Sequence, residues 1–138
     1  MNEIIPRGIR NFNPFNLKEL PADKTKWQGE RATDDDPIFE EFETMEHGIR
    51  AGLMVLRKYV LVYKCNTIKS IIHRFAPSTE NNTEKYITFI SKRTGYEADE
   101  KITFNEDMMF PLAEAICFYE NGGSYVSYEQ IEKAWGML

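Results

Sequence analysis

Two groups of side chains in this sequence are placed to do chemistry. The first is Glu120, which follows the apolar run Ala113-Glu114-Ala115-Ile116-Cys117-Phe118-Tyr119 and precedes Asn121-Gly122-Gly123. A carboxyl where an aromatic-rich helix leaves the core is partly desolvated, which raises its pKa. The negative end of the helix pushes the same way. A carboxylic acid kept protonated near neutrality is what a general acid for glycosidic cleavage requires. The plain alternative is a solvated glutamate at a helix end. The second group is Asn11, Asn13 and Asn16, within Arg7-Gly8-Ile9-Arg10-Asn11-Phe12-Asn13-Pro14-Phe15-Asn16-Leu17. Asn side chains bond their own backbone and tolerate left-handed conformations, so an ordered turn and not a helix is expected here. Amides fixed in this way suit a polyhydroxylated, amide-bearing ligand such as an N-acetylated sugar, with Trp27 or Phe15 as a stacking platform. The plain alternative is an ordinary loop that caps the first core element. A second carboxylate would come from the run Asp34, Asp35, Asp36, Glu40, Glu41 and Glu43, with Asp36 and Glu40 as candidates, unless the run is a solvated loop.

Other chemistries find little support. His47 and His73 lie far apart without the HExxH spacing of a zinc site, and no GxSxG, phosphate-binding loop or dinucleotide fingerprint occurs. The sequence therefore calls for no metal and no cofactor. Cys65 and Cys117 lack metal-ligand spacing and read as reduced, buried thiols. Cys65 and His73 are separated by a helix break, which does not support a thiol-protease pair.

The elements that must position Glu120 and the Asn loop are helical. Thr44 caps a long helix whose apolar face is Ile49, Leu53, Leu56, Val60 and Tyr63, ending near Cys65-Asn66. Gly48 and Gly52, four apart, would let another backbone approach it closely. Thr67 caps a second helix with Ile68, Ile71, Ile72 and Phe75 apolar, stopped by Pro77. A polar loop at 78–82 leads to Thr83, the expected cap of a helix over 84–93 that ends at Gly95. After a charged connection, Asn105 caps a helix over 106–119, with Pro111 near its start. Ser127 with Gln130 forms a capping box for the last helix, 128–135. Residues 1–43 carry Pro6, Pro14, Pro21 and Pro37 and five aromatics, and are expected to form loops with a short strand or two. The expected fold is mainly α: a compact, lysozyme-like helical domain over residues 1–138 with an irregular, aromatic-rich N-terminal segment.

Length, charge and composition bound the function. At 138 residues the chain has the usual size of one domain, and 42% hydrophobic residues can build a core. A net charge of -5 argues against nucleic-acid binding through a broad basic surface. The longest apolar stretch, 51–63, is broken by Arg57 and Lys58, so no membrane span is expected. Residues 1–18 lack a continuous apolar segment, so no signal peptide is expected. Synthesis in the cytoplasm, with action at the cell wall after phage lysis or by virion or secretion-apparatus delivery, fits that pattern.

Several motifs in order resemble a family. They are the 7–17 segment, Trp27-Gln28-Gly29, Phe39 and Phe42, Gly48-Ile49-Arg50-Ala51, Arg74-Phe75-Ala76-Pro77, Glu80-Asn81-Asn82-Thr83 and Tyr119-Glu120-Asn121-Gly122. Together they look like a bacteriophage and prophage virion-protein family whose members begin RGIRNNNPGNIR and carry a WAPxxENxT motif. Here Phe12 and Phe15 replace an Asn and the Gly, and Phe75 replaces the Trp. The resemblance implies a lysozyme-like peptidoglycan hydrolase or a tail-associated structural protein. More distantly, Asn13-Pro14-Phe15-Asn16-Leu17-Lys18 resembles the Asn-Leu-Phe-Gly-Ile-Lys cleft segment of flagellar and autolysin-type glucosaminidases. Those enzymes place a catalytic glutamate on the preceding helix, and Glu120 would fill that place in a circularly permuted arrangement.

The combined expectation is cleavage of the peptidoglycan glycan strand, as a muramidase, glucosaminidase or lytic transglycosylase, with Glu120 as general acid. Asn11, Asn13 and Asn16 would orient the sugar. The nucleophile would be the substrate's acetamido group or 6-hydroxyl, or a water held by Asp36 or Glu40. The alternative is a non-catalytic virion or secretion-apparatus component that binds glycan or a partner protein. A toxin of a contact-dependent delivery system, with the same chemistry, is a third class.

Overall fold

The computed structural model describes residues 4–19, 26–79 and 81–138. Residues 1–3, Pro21 with the rest of 20–25, and Glu80 in the loop before α4 lie outside the described residues. Among the described residues there are six helices: α1 Arg7–Arg10, α2 Met45–Leu61, α3 Ile68–Phe75, α4 Thr83–Thr94, α5 Glu106–Asn121 and α6 Tyr128–Trp135. The fold is mainly helical and compact.

Local sequence explains most helix boundaries. Thr44, Thr67, Asn105 and Ser127 each accept a backbone N–H from three residues on, and the Thr67 and Ser127 sites are full capping boxes. Gly95 and Gly122 end α4 and α5 in the left-handed region, at φ of 81° and 66°. Pro111 sits in the second turn of α5, where it cannot donate to the Asp107 carbonyl. The Tyr96 hydroxyl supplies that missing bond at 3.0 Å. Packing then joins the elements. α2 lies along α6, and α4 lies along α5 and α3. The enclosed core includes Ile49, Leu53 and Leu56 of α2, Ile68, Ile71 and Ile72 of α3, and Leu112 and Ile116 of α5.

Several expectations are corrected. The 7–17 segment is not helix-free, because Arg7–Arg10 makes one turn of α-helix led by Pro6. Four residues are too few to show a period, and Pro6 fixes the φ that starts a turn. α2 stops at Leu61 rather than near Cys65, so Tyr63 lies off its apolar face and is half-exposed. The cap of α4 is Asn82, whose side chain accepts from Lys85 N–H. Thr83 instead donates to the Ala76 carbonyl and ties the start of α4 to the end of α3. In place of short strands, the described N-terminal residues have only isolated antiparallel bridges, Lys18 to Phe39 and Glu30 to Phe42. Both cysteines are free thiols, with Cys117 buried and Cys65 partly exposed.

The N-terminal loop lies on α2 where its two glycines are. A Cβ at Gly48 would sit 1.7 Å from the Phe12 carbonyl oxygen, and one at Gly52 would sit 2.2 Å from the Phe15 ring. The backbone approach expected from the glycine spacing is therefore present at Gly48, whereas the space at Gly52 is taken by the Phe15 side chain.

Candidate functional site

Three consecutive residues at the end of α5 do three different jobs. Tyr119 stacks on Tyr86 of α4 with ring centroids 3.9 Å apart. Asn121 is buried and donates to the Pro14 carbonyl at 2.9 Å, which fastens the N-terminal loop to α5. Glu120, between them, points into a cleft of about 560 Å³ whose walls include Asn16, Glu40, Trp27, Tyr59 and Asn81.

The Glu120 carboxyl is largely buried and doubly bonded. Asn16 Nδ2 donates to Oε1 at 2.9 Å and the Tyr86 hydroxyl donates to Oε2 at 2.8 Å. Burial pushes the Glu120 pKa up. The bonds from Asn16 and Tyr86 and the charge of Lys18 pull it down, and burial prevails. Asn16 holds its position with φ at 52°, a left-handed conformation that Asn tolerates better than most residues. The N-terminal loop and the end of α5 thus meet at one carboxyl.

Glu40 is the second carboxyl of the same cleft. Its Oε2 is buried without a hydrogen-bond partner among the described residues. Burial, then the neighbouring carboxyl of Glu30 and the charges of Glu19 and Asp34, push its pKa up to about 8. Glu19 is raised for related reasons, first by burial and then by Asp34. Among the described residues, no group of three His, Cys, Asp or Glu side chains is arranged to hold a metal ion.

The other expected site residues are placed differently. Asp36 is outside the cleft. It takes a two-point ion pair from Arg7 at 2.7 Å and 2.7 Å, a bond from Asn11 at 2.8 Å, and the N–H groups of Ile38 and Phe39. Arg7 holds the Asp36 carboxyl far below the usual carboxylate range, against the opposing effect of burial. That makes Asp36 and Asn11 anchors of the loop rather than cleft groups. Asn13 is fully enclosed and closes the loop on itself, accepting from Leu17 N–H and donating to the Leu17 and Glu40 carbonyls. Phe15, expected as a platform, is fully buried edge-on to Phe75 and offers no open face. Trp27 remains on the cleft wall, and Asn16 is the loop amide that reaches Glu120. Sequence reasoning did not find Tyr86 as a partner of Glu120. The two lie 34 positions apart, and only the α4 to α5 packing unites them.

No protein-family model matches the chain. Over 132 residues, however, it is 42% identical to protein P5 of Pseudoalteromonas phage PM2, covering 94% of this chain and 81% of that protein. The chain belongs to the P5 family. That places it among phage proteins. The matched region takes in almost the whole chain and so spans both halves of the cleft, the Asn loop and the end of α5. No helix among the described residues is long and apolar enough to cross a membrane.

Proposed function

We propose that this P5-family protein is a phage virion component that binds the glycan strand of peptidoglycan in the Glu120 cleft. The observation that carries the reading is the joining of Asn16, Tyr86 and Glu120 in one cleft with an indole on its wall. An N-acetylated sugar offers hydroxyls and an amide to Asn81 and to the Glu120 carboxyl that Asn16 holds in place, and a ring face to Trp27. Incubating the protein with purified peptidoglycan and sedimenting the polymer tests binding directly. A protein left in the supernatant with every peptidoglycan tried would refute it.

A second, catalytic reading is favoured by one specific observation: two carboxyls in this cleft have raised pKa values. Glu120 then protonates the leaving glycosidic oxygen. Glu40 does not serve as base, because a carboxyl with a pKa of about 8 holds its proton at neutrality. Asp36 lies outside the cleft. The substrate therefore supplies the nucleophile. Its acetamido oxygen or its 6-hydroxyl attacks the anomeric carbon as the bond to the leaving oxygen breaks. In the 6-hydroxyl case the Glu120 carboxylate takes up the hydroxyl proton, and the product carries an anhydro end. Mass analysis of released fragments separates the outcomes. Anhydro ends mark a lytic transglycosylase, reducing ends a hydrolase, and no fragments a binding component.

A further inference from the structure

A second trough opens beside the cleft. It has a volume of about 900 Å³ and is walled by Tyr59, Leu61, Val62, Tyr63 and Arg74, with Arg57 and Lys58 on the same side. Trp27, Val55 and Tyr59 line both the trough and the cleft, so the two are continuous. Leu61, Val62 and Tyr63 are 49%, 62% and 42% exposed, an apolar surface at the point where α2 ends. The Arg74 guanidinium lies 3.7 Å from the centre of the Tyr63 ring and 5.5 Å from that of Tyr59, and the Lys58 ammonium lies 5.5 Å from Tyr63. The ion pairs of the described residues leave Arg57, Lys58 and Arg74 without a carboxylate partner. In a chain of net charge -5, three cations gathered on one aromatic trough run against the overall charge.

We propose that this trough binds the anionic peptide stem carried by peptidoglycan, an inference that rests on the glycan-binding reading of the cleft. Charge complementarity selects the occupant. A stem peptide carries carboxylates for Arg57, Lys58 and Arg74, and alkyl side chains for the surface of Leu61 and Val62. Its attachment to the sugar matches the continuity of the trough with the cleft. Its length matches too. From Val55 to Leu61, α2 advances about 9 Å, and a four-residue stem spans at most about 14 Å when extended. The structure thus favours a polymer of sugar and acidic peptide over bare glycan.

The test compares a disaccharide-tetrapeptide muropeptide with the same disaccharide after an amidase has removed the stem, both titrated into the whole protein by calorimetry. The stem-bearing ligand is expected to bind about tenfold more tightly, the scale of two or three partly exposed charge pairs. Arg74→Gln, and separately the double variant Arg57→Gln with Lys58→Gln, should remove most of that preference. Affinity for the stripped sugar should stay unchanged, and the thermal midpoint should fall only by what the Arg74 and Lys58 contacts with Tyr59 and Tyr63 contribute. Equal affinity for both ligands in the unmutated protein overturns the stem site alone. Equal losses on both ligands in the variants do the same. Binding of neither ligand overturns it together with the glycan reading. Capture by phosphatidylglycerol vesicles that is lost in Arg74→Gln, with no muropeptide preference, assigns the trough to a membrane surface and overturns the proposal.

Discussion

Replacing Gly48 by alanine should unfasten the site from the fold. In an ordinary helix interior the change from glycine to alanine gains up to about 1 kcal/mol. Here the new Cβ would lie 1.7 Å from the Phe12 carbonyl oxygen. A carbon and an oxygen in contact need about 3.3 Å, so one backbone must retreat by roughly 1.6 Å. The loop is poorly placed to do so. Phe42 N–H donates to the Asn11 carbonyl, Asn13 makes three bonds to backbone groups, and Asn121 holds the Pro14 carbonyl. Losing two such bonds, at about 1 kcal/mol each, together with an overpacked helix face, at about 1–3 kcal/mol, outweighs the helix-propensity gain and leaves a net loss of about 2–4 kcal/mol. At this chain length that corresponds to a thermal midpoint lower by on the order of 10 °C. The displacement also draws Asn16 away from Glu120, which removes a bond that lowers the Glu120 pKa. The same retreat lessens the burial that raises that pKa, so a carboxyl-labelled NMR titration should show Glu120 displaced from its position in the parent. Gly136→Ala is the control, since its nearest neighbour would be 3.5 Å away, and its midpoint should hardly move. A Gly48→Ala protein as stable as the parent, with an unshifted Glu120, would refute the close approach of loop and helix.

The remaining predictions concern single groups. If Glu120 is the general acid, Glu120→Gln should lower glycan cleavage by about 10²-fold or more, with only a small change in thermal midpoint, and fragment release measured on peptidoglycan decides this. Glu40 has a folded pKa of about 8 against an ordinary value of 4.5. Its contribution to stability is therefore full below pH 4.5 and is lost as pH rises toward 8. Urea unfolding across that window should show the decline, and Glu40→Gln should flatten it. Tyr86→Phe removes a bond that lowers the Glu120 pKa, so the Glu120 titration should move to higher pH; a downward move would contradict the geometry. Phe12 holds φ at 51°, where most side chains cost about 1–2 kcal/mol and Asn much less. Phe12→Asn should therefore raise the unfolding midpoint, less whatever the contact of Arg31 with the Phe12 ring contributes.

Helices α2, α3, α5 and α6 were legible because periodicity and chemistry agreed in each. An apolar face began directly after a Thr, Asn or Ser whose oxygen caps the first turn. Where two signals competed, the boundary slipped. Asn82 and Thr83 are both good caps, and the choice fell to Asn82 because Thr83 is spent on the Ala76 carbonyl. The apolar pattern of α2 runs on through Val62 and Tyr63, yet the backbone leaves the helix and Lys64 turns left-handed at φ 61°. Those side chains serve an exposed trough, not the core. At the site, Glu120 was visible as a carboxyl at the end of an aromatic helix, and Asn16 as one amide among several. Which amide reaches Glu120 was not visible, since Asn11 and Asn13 have the same chemistry and differ only in what folding puts beside them. Nor does a run of three aspartates announce that Asp36 alone meets Arg7.

The two bonds on Glu120 also decide where its proton sits. Asn16 Nδ2 can only donate, so with this nitrogen facing Glu120 the Oε1 atom remains an acceptor in both protonation states. A protonated Glu120 therefore carries its hydrogen on Oε2, facing the Tyr86 hydroxyl. A hydroxyl can turn from donor to acceptor, whereas an amide nitrogen cannot. Burial keeps Tyr86 itself protonated, its pKa raised well above 10. The pair Glu120 and Tyr86 can then accommodate both states of the carboxyl without moving a heavy atom, while Asn16 fixes the other oxygen. An ion pair at this position would hold the carboxylate permanently charged, as Arg7 does for Asp36. The hydrogen-bond partners of Glu120 are neutral, so its charge is set by burial, by the nearby charge of Lys18 and by what enters the cleft.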